Sequence, residues 1–172
     1  MMSDSELLHD LAAREAIRQC LFRYCRGIDR VNADLIRSAY WPDAFDDHLE
    51  FKGSIDEFID YAIPRLQAVD IYTHLIGNTY IEVDGSEASA ESYLFSYHRV
   101  DMNGSKYDQI LGGRYLDKFE RRGSEWRIIK RMVIEDWRRD LSDSSEMAKA
   151  SKDSGYFFPD DQSFTWLKGL AA

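Results

Sequence analysis

Asp29 and His74 are the two residues whose surroundings best suit them to handle a proton. Asp29 follows Ile17, Cys20, Leu21, Tyr24, Cys25 and Ile28, apolar residues recurring at the three- and four-residue steps of one helix face. Four residues beyond Cys25, it falls about 40° round from that side chain, at the edge of the stripe. A carboxylate there either caps the following turn or pairs with an arginine, as buried charges do, or stands at the mouth of a pocket. His74 lies in a strand-like run with Tyr72, Ile76, Asn78 and Tyr80 on its own face. An imidazole with an ordinary pKa near 6.5 accepts a proton at neutral pH; the alternative is a core histidine satisfied by a backbone carbonyl. A neighbouring carboxylate favours the charged ring and burial opposes it, so the sign of any shift stays open.

Tyr24, one helical turn before Asp29, carries a phenol that is neutral at pH 7 and donates a hydrogen bond without giving up its proton. Tyr93, Phe95 and Tyr97 form an aromatic strand face that either lines a pocket for a ring-shaped apolar ligand or belongs to the core, with Phe95 the core residue. The candidate substrate contacts are Tyr72, Asn78, Tyr93, Tyr97 and, in the next strand, Tyr107. His98 and the Asp46-Asp47-His48 cluster invite a metal reading, but the histidines lie on different strands without ligand spacing, so they read as a solvated strand edge. No metal and no cofactor are expected. Arg114, Arg127 and Arg131, with Asp117, Glu135 and Asp136 nearby, read as ion pairs on the outer sheet face or at a subunit interface.

These side chains need elements to hold them. Ser3 or Asp4 caps a first helix running to about Arg30, with Asp4, Glu6 and Asp10 in its early turns. A break at Val31-Asn32 leads to a short helix over 33–40 that stops before Trp41-Pro42. The run 44–52 alternates as a strand, with Phe45, Asp47, Leu49 and Phe51 on one side and Asp46, His48 and Glu50 on the other. Ser54 caps a third helix that Pro64 kinks or shortens. From Ile71 the pattern is that of strands, about 71–83, 89–100, 106–120 and 126–137, with turn signals at Asp84-Gly85, Asn103-Gly104 and Arg122-Gly123. Helices followed by long strands on short turns predict an α+β domain, an antiparallel sheet with helices on one face.

The chain has 172 residues, 44% apolar and 13% aromatic, enough for one domain with a real core. A net charge of −9 disfavours nucleic acid and anionic membrane surfaces as partners. No run reaches the roughly 18 apolar residues of a membrane span, and the acidic N-terminus is unlike a signal peptide, so a cytoplasmic protein is expected. Cys20 and Cys25 point different ways on one helix and read as core. Beyond Asp140 the chain is polar to Gly155 and then aromatic, with Tyr156, Phe157, Phe158, Phe164 and Trp166. Residues 140–172 are therefore expected to cover the pocket or a subunit interface.

The order of elements, Tyr24-Cys25-Arg26-Gly27-Ile28-Asp29 in the first helix and Tyr72-Thr73-His74 in a strand resemble the nuclear transport factor 2-like superfamily. Within it, the chain is similar to the SnoaL-like branch, which holds scytalone dehydratase, hexachlorocyclohexane dehydrochlorinase and bile-acid 7α-dehydratase. Trp41-Pro42-Asp43-Ala44, Gly113-Arg114-Tyr115 with Asp117, and Trp126-Arg127-Ile128 belong to the same resemblance, which covers about residues 7–139. It implies a cone: a strongly curved antiparallel sheet wrapped round the first helix, with an apolar pocket between them, over residues 1–139.

The resemblance also implies roles. In those lyases an aspartate of the first helix orients a histidine of the sheet, which here fall on Asp29 and His74, and a tyrosine that assists the leaving group falls on Tyr24. Two further positions of the bile-acid enzyme, an acid and an arginine, hold Ser96 and Glu135 here, a departure that argues against the same substrate. The implied activity is a cofactor-free lyase or isomerase, dehydratase-like, acting on a small, mostly apolar, possibly cyclic molecule. The alternative is a non-catalytic binding or assembly domain of the same fold. Either way a homodimer or homotrimer is implied.

Overall fold

The computed structural model of the protein describes residues 2–69, 71–102, 105–142, 159–161 and 163. Helix α1, Asp4–Asp29, begins at a capping box: the Ser3 hydroxyl accepts from Glu6 N and the Glu6 carboxylate accepts from Ser3 N. Val31, at φ +52°, turns the chain, and the Asn32 side chain accepts from Leu35 N to start α2, Ala33–Ser38. A second capping box, Ser54 with Glu57, opens α3, Ile55–Gln67, which contains Pro64.

The strands are β1 Tyr40–His48, β2 Phe51–Ser54, β3 Ile71–Asp84, β4 Glu87–Met102, β5 Ser105–Arg122 and β6 Glu125–Ser142. They form one open, cone-like sheet in the order β2-β1-β6-β5-β4-β3. The expected all-antiparallel sheet needs one correction, because β1 pairs with β6 in parallel. The reason is topological. After β2 the chain crosses through α3 to the far edge, and the three turns from β3 to β6 bring it back alongside β1 in β1's own direction. The expected run 44–52 is thus two strands, and Trp41-Pro42 opens β1 instead of ending a helix. The glycines of the Asp84-Gly85 and Arg122-Gly123 turns have φ near +60°, which favours glycine. Asn103-Gly104 lies outside the described residues, as do Tyr156, Phe157, Phe158, Phe164 and Trp166.

The buried stripe of α1, Ile17 to Ile28, packs in one core cluster with Ala88, Ala90 and Leu94 of β4 and Ile81 of β3. Small residues on the concave face let the helix approach the sheet. The bulky members of β4 therefore face outward: Tyr93 is 54% exposed and Phe95 45% exposed, which overturns the expectation of core for Phe95, while both line an open pocket on that outer face with Leu75, Gly77 and Trp137. On β3 a bulge sets Gly77 and Asn78 against Tyr93, since Ile76 pairs with Leu94 but Thr79 with Ser92. Tyr72, His74 and Ile76 face inward before the bulge, and Ile81 after it, so Asn78 and Tyr80 turn out to solvent.

The concave side of β1 and β6 buries charged groups among apolar core residues such as Tyr40, Ala44, Ile128 and Val133. Arg131, 0% exposed, donates through Nε and Nη2 to both oxygens of Asp117 at 2.7 and 2.8 Å. Its guanidinium lies 4.1 Å from the Tyr24 ring centre and 4.0 Å from that of Tyr115. Asp46, also buried, accepts from the Tyr40 hydroxyl at 2.6 Å and lies 3.2 Å from His48 Nδ1. Asp46 and His48 are therefore not a solvated edge, and Arg131 is not an outer-face ion pair. Burial alone would lower the Arg131 pKa, but the Asp117 charge carries it well above its usual value. Burial likewise raises the Asp117 pKa, with Arg131 working against it.

Removing the cation leaves two carboxylates in the interior. Arg131→Met is expected to destabilise the fold by about 3–5 kcal/mol in urea unfolding, and Arg131→Met with Asp117→Leu to recover most of that loss.

Candidate functional site

Asp29 is the last residue of α1, and its side chain reaches across to β3. Oδ1 lies 2.6 Å from Nδ1 of His74, while Oδ2 accepts the backbone N–H of His74 at 3.1 Å. Strand β3 is the sheet edge, so N–H groups on its outer side lack a strand partner. One carboxylate thus satisfies an edge amide and holds the imidazole of the same residue. An ionised carboxylate only accepts, so against it a neutral imidazole would place its hydrogen on Nδ1 and leave the Nε2 lone pair free.

Beside this pair a cavity of about 280 Å³ opens between the end of α1 and β3. Phe22, Cys25, Leu75 and Ile76 give it apolar walls, and Arg26, Asp29, Arg30 and His74 its polar ones. Burial pushes the Cys25 thiol up to about 12, so it is a neutral apolar surface there. The tail returns to this end of the fold: Arg26 donates to the Ser163 hydroxyl at 2.5 Å, and Arg30 Nε is 3.1 Å from Asp161.

His98 joins the site from β4, where it pairs with Tyr72. Its ring centre lies 5.4 Å from that of His74 and 6.0 Å, edge-on, from that of Tyr72. Its Nε2 is buried with no hydrogen-bond partner among the described residues. Burial, and then the nearby His74, push its pKa down to about 4, against the attraction of Asp29. His98 is therefore neutral at pH 7. Burial, with Asp29 adding to it, raises the Tyr72 phenol, which stays a donor. His98, expected at a solvated strand edge, is instead partly buried on the concave face. The signal was the alternation Ser92, Leu94, Ser96, His98, a small-residue face that had to lie under the helix.

Of the candidate residues, Asp29, His74 and Tyr72 come together. Tyr107 lies on the same side of β5 as Gln109, the pairing partner of His98, and so further along the concave face. Tyr24 does not line the cavity. It is buried between Tyr40, Tyr115 and Arg131, and burial pushes its phenol far up. Asn78 and Tyr93 are on the outer face, as is Tyr97, whose hydroxyl donates to Asp108 at 2.9 Å beside Arg99. The bulge and the outward aromatic face remove these three from the site. Arg114 does pair with Asp136 on the outer face, at 2.9 and 2.8 Å, and Arg127 with Glu125. Among the described residues no group of three or more His, Cys, Asp or Glu is placed to hold a metal ion.

A histidine whose pKa falls from 6.5 to about 4 on folding takes its proton more readily in the unfolded chain. Its contribution to stability is complete above pH 6.5 and is lost as pH falls towards 4. The unfolding free energy of the His98→Asn variant is expected to drop less across that window than that of the wild type, read by urea titration at several pH values.

Residues 9–132 match the family described as SnoaL-like domain. An uncharacterized protein of Mycobacterium tuberculosis is 28% identical over 132 residues, 72% of this chain and 85% of that protein. Among solved structures, a type 2 hexachlorocyclohexane dehydrochlorinase superposes with a TM-score of 0.74 at 18% identity, covering 84% of this chain and 98% of its own. A protein of Novosphingobium aromaticivorans assigned as a scytalone dehydratase gives 0.69 at 18% identity, covering 82% and 97%. At that identity the two structures share the fold with this chain. The match over most of its length places the chain in the SnoaL-like family.

Proposed function

We propose that the chain is a cofactor-free lyase or isomerase, in which His74 removes a proton from a small, mostly apolar, possibly cyclic substrate. The observation that carries this reading is the double contact of Asp29 with His74 at the wall of a cavity. With Nδ1 held by the carboxylate, Nε2 is the atom that takes the proton, and the imidazolium that forms is stabilised by Asp29. A substrate C–H next to an activating group loses its proton to Nε2. The electron pair left on carbon then expels a neighbouring halide as the anion, or a neighbouring hydroxyl that takes the proton back from the His74 imidazolium and departs as water; alternatively the double bond shifts and the imidazolium returns the proton to the far carbon. Tyr72 and neutral His98 supply polar contacts from the concave face, and Tyr107 extends that face. Tyr24, enclosed around Arg131, acts through packing.

A filled cone interior favours the non-catalytic alternative, and a pocket reaching both side chains favours chemistry. The deeper cone is filled, by Tyr24, Tyr40, Tyr115 and Arg131, but the cavity reaches both Asp29 and His74, which favours chemistry. A direct test is to incubate the protein with a panel of cyclic alcohols, ketones and halides in D2O and follow them by mass spectrometry. Deuterium uptake, or loss of water or halide, is expected with the wild type. His74→Ala should abolish it with the fold intact, and Asp29→Asn should slow it by roughly 10²–10⁴. Turnover retained by His74→Ala would defeat the proposal.

The same reading includes self-association through the convex sheet face. Leu75, Phe95 and Trp137 share one row of that face, beside Tyr93, and Leu75 and Trp137 are 61% and 51% exposed. At about 150–250 Å² per aromatic side chain, the row and its neighbours leave several hundred Å² of apolar surface outside, the scale of an interface. Sedimentation is expected to give a dimer or trimer, and Phe95→Asp with Trp137→Asp a monomer; a wild-type monomer would contradict this.

A further inference from the structure

Arg26 and Arg30 are one helical turn apart at the end of α1, and both line the cavity that holds Asp29 and His74. Two guanidiniums so placed repel each other: burial first, and then Arg30, lowers the Arg26 pKa. Asp29 turns both carboxylate oxygens to His74, and Arg30 Nη1 reaches the Asp29 carbonyl, at 3.1 Å. A carboxylate does sit against the pair. Asp161, itself buried, lies 3.1 Å from Arg30 Nε and accepts from Ser163 N at 3.0 Å, while the Ser163 hydroxyl, which also meets Asp161, takes a hydrogen bond from Arg26. The C-terminal segment thus delivers an anion to a cationic wall of the cavity.

We propose that Arg26 and Arg30 form the recognition site for an anionic group, a carboxylate, of the substrate, and that Asp161 occupies this site until the ligand replaces it. The proposal rests on the reading of Asp29 and His74 as the reacting pair and narrows its substrate class to apolar molecules carrying a carboxylate. Guanidinium donors match a carboxylate in charge and in planar geometry, and they hold it best where water is partly excluded. With the carboxylate fixed at the arginines and the apolar body against Phe22, Leu75 and Ile76, a C–H of the ligand is directed at His74. In a chain of net charge −9 no general field draws anions in, so selectivity comes from this local pair.

The test is a binding measurement that needs no turnover. The imidazole carbon resonance of His74, assigned by its loss in His74→Gln, is followed while the full chain is titrated with 2-naphthoate or with the uncharged 2-naphthalenemethanol. The carboxylate is expected to bind about tenfold more tightly than the alcohol. Arg26→Gln with Arg30→Gln should bring the two ligands level, each single Arg→Lys variant should keep part of the preference, and Asp161→Asn should strengthen naphthoate severalfold by removing the competitor. Equal binding of the two ligands by the wild type, a preference that survives Arg26→Gln/Arg30→Gln, or no gain in Asp161→Asn would overturn the proposal. Because the readout is affinity at His74, a loss of the carboxylate preference and a failure of His74 to act as a base are separately visible.

Discussion

One carboxylate joins the two halves of this molecule. Asp29 ends the long helix and binds both the main-chain N–H and the ring nitrogen of His74 on the edge strand. An exposed strand edge carries unpaired amides, and a partly buried helix-end acid is stabilised by donors, so each element supplies what the other lacks. The same contact ties the end of α1 to β3, and Phe22 and Leu75 are among the residues lining the cavity between them.

Around the clamp the interior is built from opposing polar and apolar demands. Small residues of β4 make room for the apolar stripe of α1, and the cost of burying charge on β1 and β6 is met by pairing Arg131 with Asp117 between two tyrosine rings. Burial that keeps His98 neutral acts next to a histidine whose ring is held by a carboxylate. The two imidazoles, with ring centres 5.4 Å apart, thus stand in different environments.

Much of the frame was legible in the sequence, because its signals are local. Ser3 with Glu6 and Ser54 with Glu57 announce helix starts, the stripe from Ile17 to Ile28 announces a buried face, and period-two runs announce the strands. The contact between Asp29 and His74 was reached only through resemblance, since 45 residues separate them. What the sequence hid depends on partners in other strands. Arg131 reads as a surface charge until Asp117 is placed across from it by the β5 and β6 register. Phe95 reads as core until the helix is seen to need small residues beneath it. The bulge at Gly77 and Asn78 reverses the faces of β3 without interrupting its alternation on either side, so by period alone Asn78 shares a face with His74.

Long-range ¹H–¹⁵N correlation spectra of the His74 imidazole at slightly alkaline pH read the state that Asp29 imposes. A single tautomer with the hydrogen on Nδ1 and a bare Nε2 is expected, giving way to a mixture in Asp29→Asn. A wild-type ring that carries its hydrogen on Nε2 would contradict the assignment of that atom as the proton acceptor.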